Sequence, residues 1–171
     1  MKFGDLKNHF PNADVVNTDT GFDRSYGSYP YGDYITNNER LIFPITKEDN
    51  QLPKKERVLA LPVSSNTVQV ISFDKLEENN NVLITSIGPK TILIYGEKDK
   101  NFMNAVIINS IDSDKYTYDK SKYPYVISHE NGSMFDIFGR STSTTINLEV
   151  TDNYIGYYFS FPAFFDVVIV L

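Results

Sequence analysis

The chain has no cysteine and no tryptophan, and only two histidines, His9 and His129. Without cysteine there is no disulfide, no thiolate zinc site and no cysteine nucleophile. The same absence does not assign a compartment, because reduced and oxidised proteins both occur without cysteine. Two histidines exclude a His-rich metal centre. Positive charge is also in the minority, with 16 basic against 22 acidic residues and a net charge of −6. No Lys/Arg stripe is visible, which weighs against nucleic acid as a partner. Long apolar runs are lacking too. The most apolar stretch, YIGYYFSFPAFFDVVIVL, is broken by Ser160, Pro162 and Asp166, so it reads as core and not as a membrane span. The first residues, MKFGDLKNHFPNADVV, hold no apolar h-region and read as an amphipathic start, not a signal peptide.

What is present is a chain of 171 residues, about one domain, with 41% hydrophobic and 22% charged residues. At this length folding buries roughly 70% of the unfolded surface, enough for one sizeable core. Twelve Tyr and twelve Phe tilt the composition toward strands. Phe3, Leu6 and Phe10 at helical spacing predict a short helix over 2–10, ended by Pro11. Ala13–Val16 reads as a short strand and Leu41–Ile45 as another. From Arg57 the pattern turns to strands at hairpin spacing: RVLALPV and TVQVISF, then NVLITSI, TILIYGE, NAVIINS, KYTYDK, PYVISHE, MFDIFG and INLEV. Gly88-Pro89 and Asn131-Gly132 are the clearest turns. Asp74 is placed to cap one helical turn through Glu78. The aromatic stretch 153–165 predicts a helix, against which Pro162 argues, and 166–171 is a final strand. The expected fold is mainly β with a few short helices (α+β), an antiparallel hairpin-rich sheet or partly open barrel.

The organisation expected is one domain over 1–171: a helix-strand lead-in (1–16), a long loop region (17–56) and a β-rich core (57–171). The segment ADVV near the start is echoed by FDVVIV at the end, a weak hint of an internal repeat. The segment from Thr18 to Arg57 has little periodicity, and its Gly21, Gly27, Pro30 and Gly32 mark turns. Within it Tyr26, Tyr29, Tyr31 and Tyr34 offer flat apolar faces with polar tips, suited to stacking on a sugar, a peptide or a protein. Loops on a rigid scaffold commonly carry binding residues. The competing reading is that these rings fold back and pin a long connection to the core.

Asp19, Asp23, Asp33 and Glu39 are the acids a carboxylate-dependent hydrolase would use, with Arg24 and Arg40 beside them. Against this, Asp19 suits an Asx turn into Gly21, and Asp23 pairs with Arg24 or solvent. Asp112, Asp114 and Asp119 lack the glycine and terminal glutamate of a calcium loop. His9 falls at a helix end, where bonding to the last carbonyls is expected. His129 precedes the Asn-Gly turn, and no Gly-x-Ser-x-Gly elbow supports a triad on it. Lys54, Lys55, Glu56 and Arg57 read as a charged turn, or else as an anion-binding patch. No cofactor and no metal are called for.

Several of these stretches together resemble a known family. They are Asp19-Thr20-Gly21, Tyr26, Pro30-Tyr31-Gly32, Phe43-Pro44, and Lys55-Glu56-Arg57-Val58-Leu59, with HENGSMFDIFGRS (129–141) and FSFPAFF further on. The chain is similar to a bacterial family known as domain of unknown function 3179. The likeness is specific over 14–61 and loose over 76–122. Members of that family usually carry an upstream half with a Cys-Pro-Leu-Cys-Gly motif and often a secretion or lipoprotein signal. The resemblance therefore implies a C-terminal portion of such a protein and an extracytoplasmic setting. It implies no activity.

Three functional expectations follow. The first is a non-catalytic module binding a small ligand or protein partner, with Asp19, Asp23, Arg24, Tyr26, Tyr29, Tyr31, Tyr34 and Arg57 as its binding residues. The second is a hydrolase using the acids of the 19–39 loop. The third is a structural half-domain that pairs with a partner half and exposes an apolar patch.

Overall fold

The computed structural model describes residues 1–142 and 147–171. Its elements in chain order are α1 (Phe3–His9), β1 (Arg57–Pro62), β2 (Thr67–Ser72), α2 (Phe73–Glu78), β3 (Val82–Ile87), β4 (Lys90–Glu97) and β5 (Phe102–Ile108). Then come β6 (Tyr116–Tyr118), β7 (Ile127–His129), β8 (Met134–Phe135), β9 (Glu149–Val150), β10 (Tyr154–Tyr157), α3 (Ser160–Phe164) and β11 (Val167–Val170). Short 3-10 turns at 110–115 and 120–122 flank β6.

Among the described residues the strands form three sheets, ordered β10-β1-β2-β11, β3-β4-β5-β9 and β6-β7-β8, and none closes into a barrel. All pairings are antiparallel except β11 with β2, which is parallel. A parallel pair needs a crossover, and here the rest of the chain between β2 and β11 supplies it.

The alternation of side chains explains the layering. On β1, Leu59 and Leu61 join Ile71 of β2, Phe73 and Leu76 of α2, and Ile92, Ile94, Met103 and Ala105 of the second sheet. Val58 and Ala60 face the other way, with Val68, Val70, Tyr158 and Phe161. On β4, Ile92 and Ile94 face the first sheet, while Leu93 and Tyr95 face Val126, Ile127, Phe135 and Ile137 around the third. Period-2 alternation thus places β4 between two apolar layers, and Ile92 through Tyr95 are wholly buried.

The hairpins are those read from the sequence, joined at the expected turns. Differences arise where a strand lacks a partner. Ala13–Val16 is not a strand: it pairs with none of the described strands, and Val15 and Val16 are exposed, Val16 by 90%. Leu41–Ile45 is also irregular; Pro44 has no N–H for a ladder, and Ile42 and Phe43 point outward. The 153–165 stretch is a strand followed by one helical turn, not a helix. Pro162 falls in the first turn of α3, where its missing N–H costs no bond. The cap of α2 is Ser72, whose side chain accepts from Lys75 N–H at 3.1 Å, in place of Asp74. MFDIFG pairs only through Met134–Phe135, because Asp136 turns the chain. INLEV contributes Glu149–Val150 to β5, and its Ile146 lies outside the described residues. Among the described residues no helix is long and apolar enough to cross a membrane.

Gly96 marks the tightest approach within the middle sheet. A Cβ there would lie 2.5 Å from the Phe102 carbonyl oxygen and 2.6 Å from Met103 Cγ. Gly96→Ala is expected to destabilise the fold by about 1–3 kcal/mol through overpacking, read as a lower urea midpoint with unchanged slope.

Candidate functional site

Two places collect polar and aromatic groups. The first is the Tyr-rich loop. Its rings form a chain of contacts: Tyr29 to Tyr31 (5.6 Å between centroids), Tyr31 to Tyr34 (6.4 Å), Tyr34 to Tyr157 (6.5 Å) and Tyr157 to Phe159 (6.2 Å). At the foot of this chain sits Lys55, only 7% exposed. Its Nζ lies 2.9 Å above the Tyr34 ring centroid, 5.2 Å from Phe159 and 5.6 Å from Tyr157. Among the described residues no hydrogen bond reaches that Nζ, and the ring faces are what it meets. The Lys55 backbone N–H donates to Asn38 Oδ1 at 3.0 Å. The lysine read as part of a charged turn is thus the anchor of the loop.

The other residues expected in that site are dispersed. Tyr26, Tyr29 and Tyr31 are 45%, 47% and 51% exposed, and Tyr26 shares a 2.5 Å hydroxyl hydrogen bond with Thr20. Asp19 N–H donates to Asn17 Oδ1, and the side chains of Asp19, Asp23 and Arg24 are in solvent. Arg57 donates to Asn101 Oδ1 and lies over Phe73, and it meets the aromatic chain as the cross-strand partner of Tyr157. Asp33 accepts from Asn37 Nδ2 and pairs with Arg40. These bonds, Asn37 first and Arg40 next, hold its carboxyl below its ordinary range. Glu39 borders a cavity of about 380 Å³ with Asn38, Asn50 and Gln51.

The second place is a cleft of about 780 Å³ that sequence reasoning did not find. It is lined by α1, by the 98–101 turn, by the turn before β7 and by the loop after β8. Other described cavities hold about 220 to 380 Å³. Asp5, Asn8 and His9 share one face of α1, as the i, i+3, i+4 spacing dictates. Lys100 reaches across to Asp5, 3.5 Å away, and its ammonium lies 4.5 Å above the Tyr123 ring. The far wall is built on Asp136, 4% exposed. Its Oδ1 accepts from the N–H groups of Phe138 and Arg140, both at 2.9 Å, and its Oδ2 from Arg140 Nε at 2.8 Å. Gly139, at φ +78°, lets this turn close. The Arg140 guanidinium lies 4.7 Å from the Phe138 ring centre, and no hydrogen bond among the described residues occupies its two Nη groups.

His9 sits at the helix end as expected, but it does not bond the last carbonyls. Its ring packs edge-on against Tyr123 (5.9 Å) and Phe138 (5.6 Å), and Nε2 is buried with no hydrogen-bond partner among the described residues. From below, Tyr95 reaches the Asp136 and Ile137 carbonyls at 3.5 Å and receives Asn104 Nδ2 at 3.2 Å. Burial raises the Tyr95 hydroxyl pKa far above its ordinary value, so it stays a neutral donor. One signal for this wall was present in the sequence: Asp136-Ile-Phe-Gly139-Arg140 has the form of an Asx turn, which the strand reading hid.

Around His129 a smaller cavity of about 250 Å³ also holds Asp112 and Ser133. These three do not form a triad. His129 Nδ1 accepts from Asn131 N–H at 3.2 Å, which puts the proton of a neutral ring on Nε2, and Asp112 pairs with Lys115 at 2.7 Å. Among the described residues, no three of His, Asp and Glu gather to hold a metal ion.

Two outcomes follow. Lys55→Ala is expected to cost about 1–2 kcal/mol and to open the 26–34 segment to limited chymotrypsin cleavage, with Lys55→Met restoring part of the resistance by filling the same space. For Asp33, a lowered folded-state pKa means that its contribution is complete above the ordinary carboxylate value of 3.8 and is lost as pH falls through the lowered one. The Asn37 side-chain amide signals, which report the bond to Asp33, should therefore hold steady from neutral pH to 3.8 and move as pH falls further toward the lowered value.

No curated protein and no solved structure matches the chain. A family model described as protein of unknown function (DUF3179) matches residues 1–167, nearly the whole chain. On that match, the chain belongs to the DUF3179 family.

Proposed function

We propose that this chain is a non-catalytic binding module whose ligand seat is the cleft between α1 and the Asp136–Arg140 turn. The observation that carries this reading is the pairing state of the cleft. Polar groups converge from four segments, yet each carboxylate already has a cation: Asp5 has Lys100, and Asp136 has Arg140. The one imidazole, His9, has its Nε2 sealed in packing. Such a wall presents donors and ring faces to a ligand while leaving no free acid or base positioned for proton transfer. In this reading the loop tyrosines anchor the 17–56 region, and their half-exposed rims form a second surface for a protein partner.

The structural half-domain is the second reading. It draws support from the exposure of Val15, Val16, Phe22, Phe43 and Phe164, apolar side chains that a partner surface would cover. The hydrolase reading has less behind it, since Asp33 is already held by Asn37 and Arg40.

The test is an amide-resolved NMR screen of a small-molecule library against the chain and its Tyr125→Ala variant. Binders are expected to move signals of residues 5–9, 123–125 and 136–141, to be recovered unaltered, and to weaken in the variant. Shifts confined to 26–34, or turnover of a hit, contradict the proposal. Solution mass decides the second reading: a stable dimer at micromolar concentration favours it, and a monomer removes it.

A further inference from the structure

The cleft also indicates what class of ligand it takes. Arg140 is held in place by the buried Asp136 through Nε and by the Phe138 ring beneath its plane. Among the described residues, this leaves the outer edge of the guanidinium, with both Nη groups, unbonded at the cleft surface. A guanidinium fixed by one carboxylate presents its remaining donors as a planar fork, and a second carboxylate matches that fork in two parallel hydrogen bonds. Lys100 lines the same cleft, only loosely matched to Asp5 at 3.5 Å and oriented by the Tyr123 ring. Tyr125, 41% exposed, and Pro124 add a flat apolar margin.

Charge selects among anions. Two cations, Lys100 and Arg140, and two carboxylates, Asp5 and Asp136, line the cleft, so it offers oriented donors without net positive charge. A monoanion gains the hydrogen bonds at little cost. A dianion such as phosphate meets the nearby carboxylates as well. We propose that the cleft binds a small organic carboxylate, received by the free Nη edge of Arg140 with Lys100 as second cation and Tyr125 against its apolar body. This rests on the cleft being the ligand seat.

The experiment is an NMR titration of the full chain with benzoate, acetate, inorganic phosphate and glucose, repeated on Arg140→Gln and Arg140→Lys. The expected result is saturable shifts around 123–125 and 140 with benzoate, weaker ones with acetate, and a loss of affinity of about tenfold in Arg140→Gln, the effect of removing one charge-assisted contact. Arg140→Lys keeps the charge without the fork and should fall between the two. If Arg140→Gln does not fold, Lys100→Gln is read instead, with a smaller loss expected. Cleft shifts that are equal for glucose and insensitive to either substitution overturn the carboxylate assignment and leave the ligand seat standing. A preference for phosphate over benzoate overturns it as well. No shift in the cleft with any probe or with the library overturns both.

Discussion

The two-sided burial of β4 is the constraint on which the other parts depend. Ile92 and Ile94 hold the first sheet, and Leu93 and Tyr95 hold the third, so the middle sheet is the wall shared by both cores. Such a strand tolerates no register slip, because a shift of one residue would exchange the two faces. Gly96 continues this logic at the end of the strand, where the backbone of β5 leaves no room for a side chain. The cleft inherits its geometry from the same strand. Tyr95 projects from the far face of β4 to the carbonyls of Asp136 and Ile137, beneath the turn that fixes Arg140.

On the other side of the molecule a single buried ammonium organises a long irregular segment. Without strands of its own, the 17–56 region cannot satisfy itself by ladder bonds. It is held by Lys55 under Tyr34, Tyr157 and Phe159, and by Lys47, whose Nζ donates to the Asp166 carbonyl at 2.7 Å. An ammonium against ring faces pins the segment without a matching carboxylate, while Asp33 is engaged locally by Asn37 and Arg40. The anchoring leaves the upper rings half exposed, so pinning and surface contact coexist in the same tyrosines.

Much of the β core was legible in the sequence because its signals are local. Alternation over 57–72 and 82–108, with Gly88-Pro89 and Asn131-Gly132 as turns, identifies hairpins before any partner is known. What failed depended on partners. Ala13–Val16 and Leu41–Ile45 have strand-like composition, but a strand exists only where an edge receives it. The 153–165 stretch was misread because aromatic content does not separate a buried strand from a helical turn. The cleft was invisible for a related reason. Asp5, Lys100, Tyr123 and Arg140 lie far apart in the chain, and they meet only where α1 lies against the 98–101 turn and the loops holding Tyr123 and Phe138. The tyrosines of the loop were conspicuous in the sequence, whereas the residue that holds them, Lys55, looked like an ordinary surface charge.

The claim at the centre of this account is that Arg140 is a fixed guanidinium with an open edge, poised over the cleft. The chain has four arginines, Arg24, Arg40, Arg57 and Arg140, so their side-chain Nε–H signals are resolvable in a nitrogen-proton spectrum. Measuring the exchange rate of each with solvent is the most direct test. The account predicts that Arg140 Nε–H, bonded to the buried Asp136, exchanges much more slowly than that of Arg24 while its Nη protons exchange freely. Equal exchange at Arg140 and Arg24, or protection of the Arg140 Nη protons in the free protein, would contradict it.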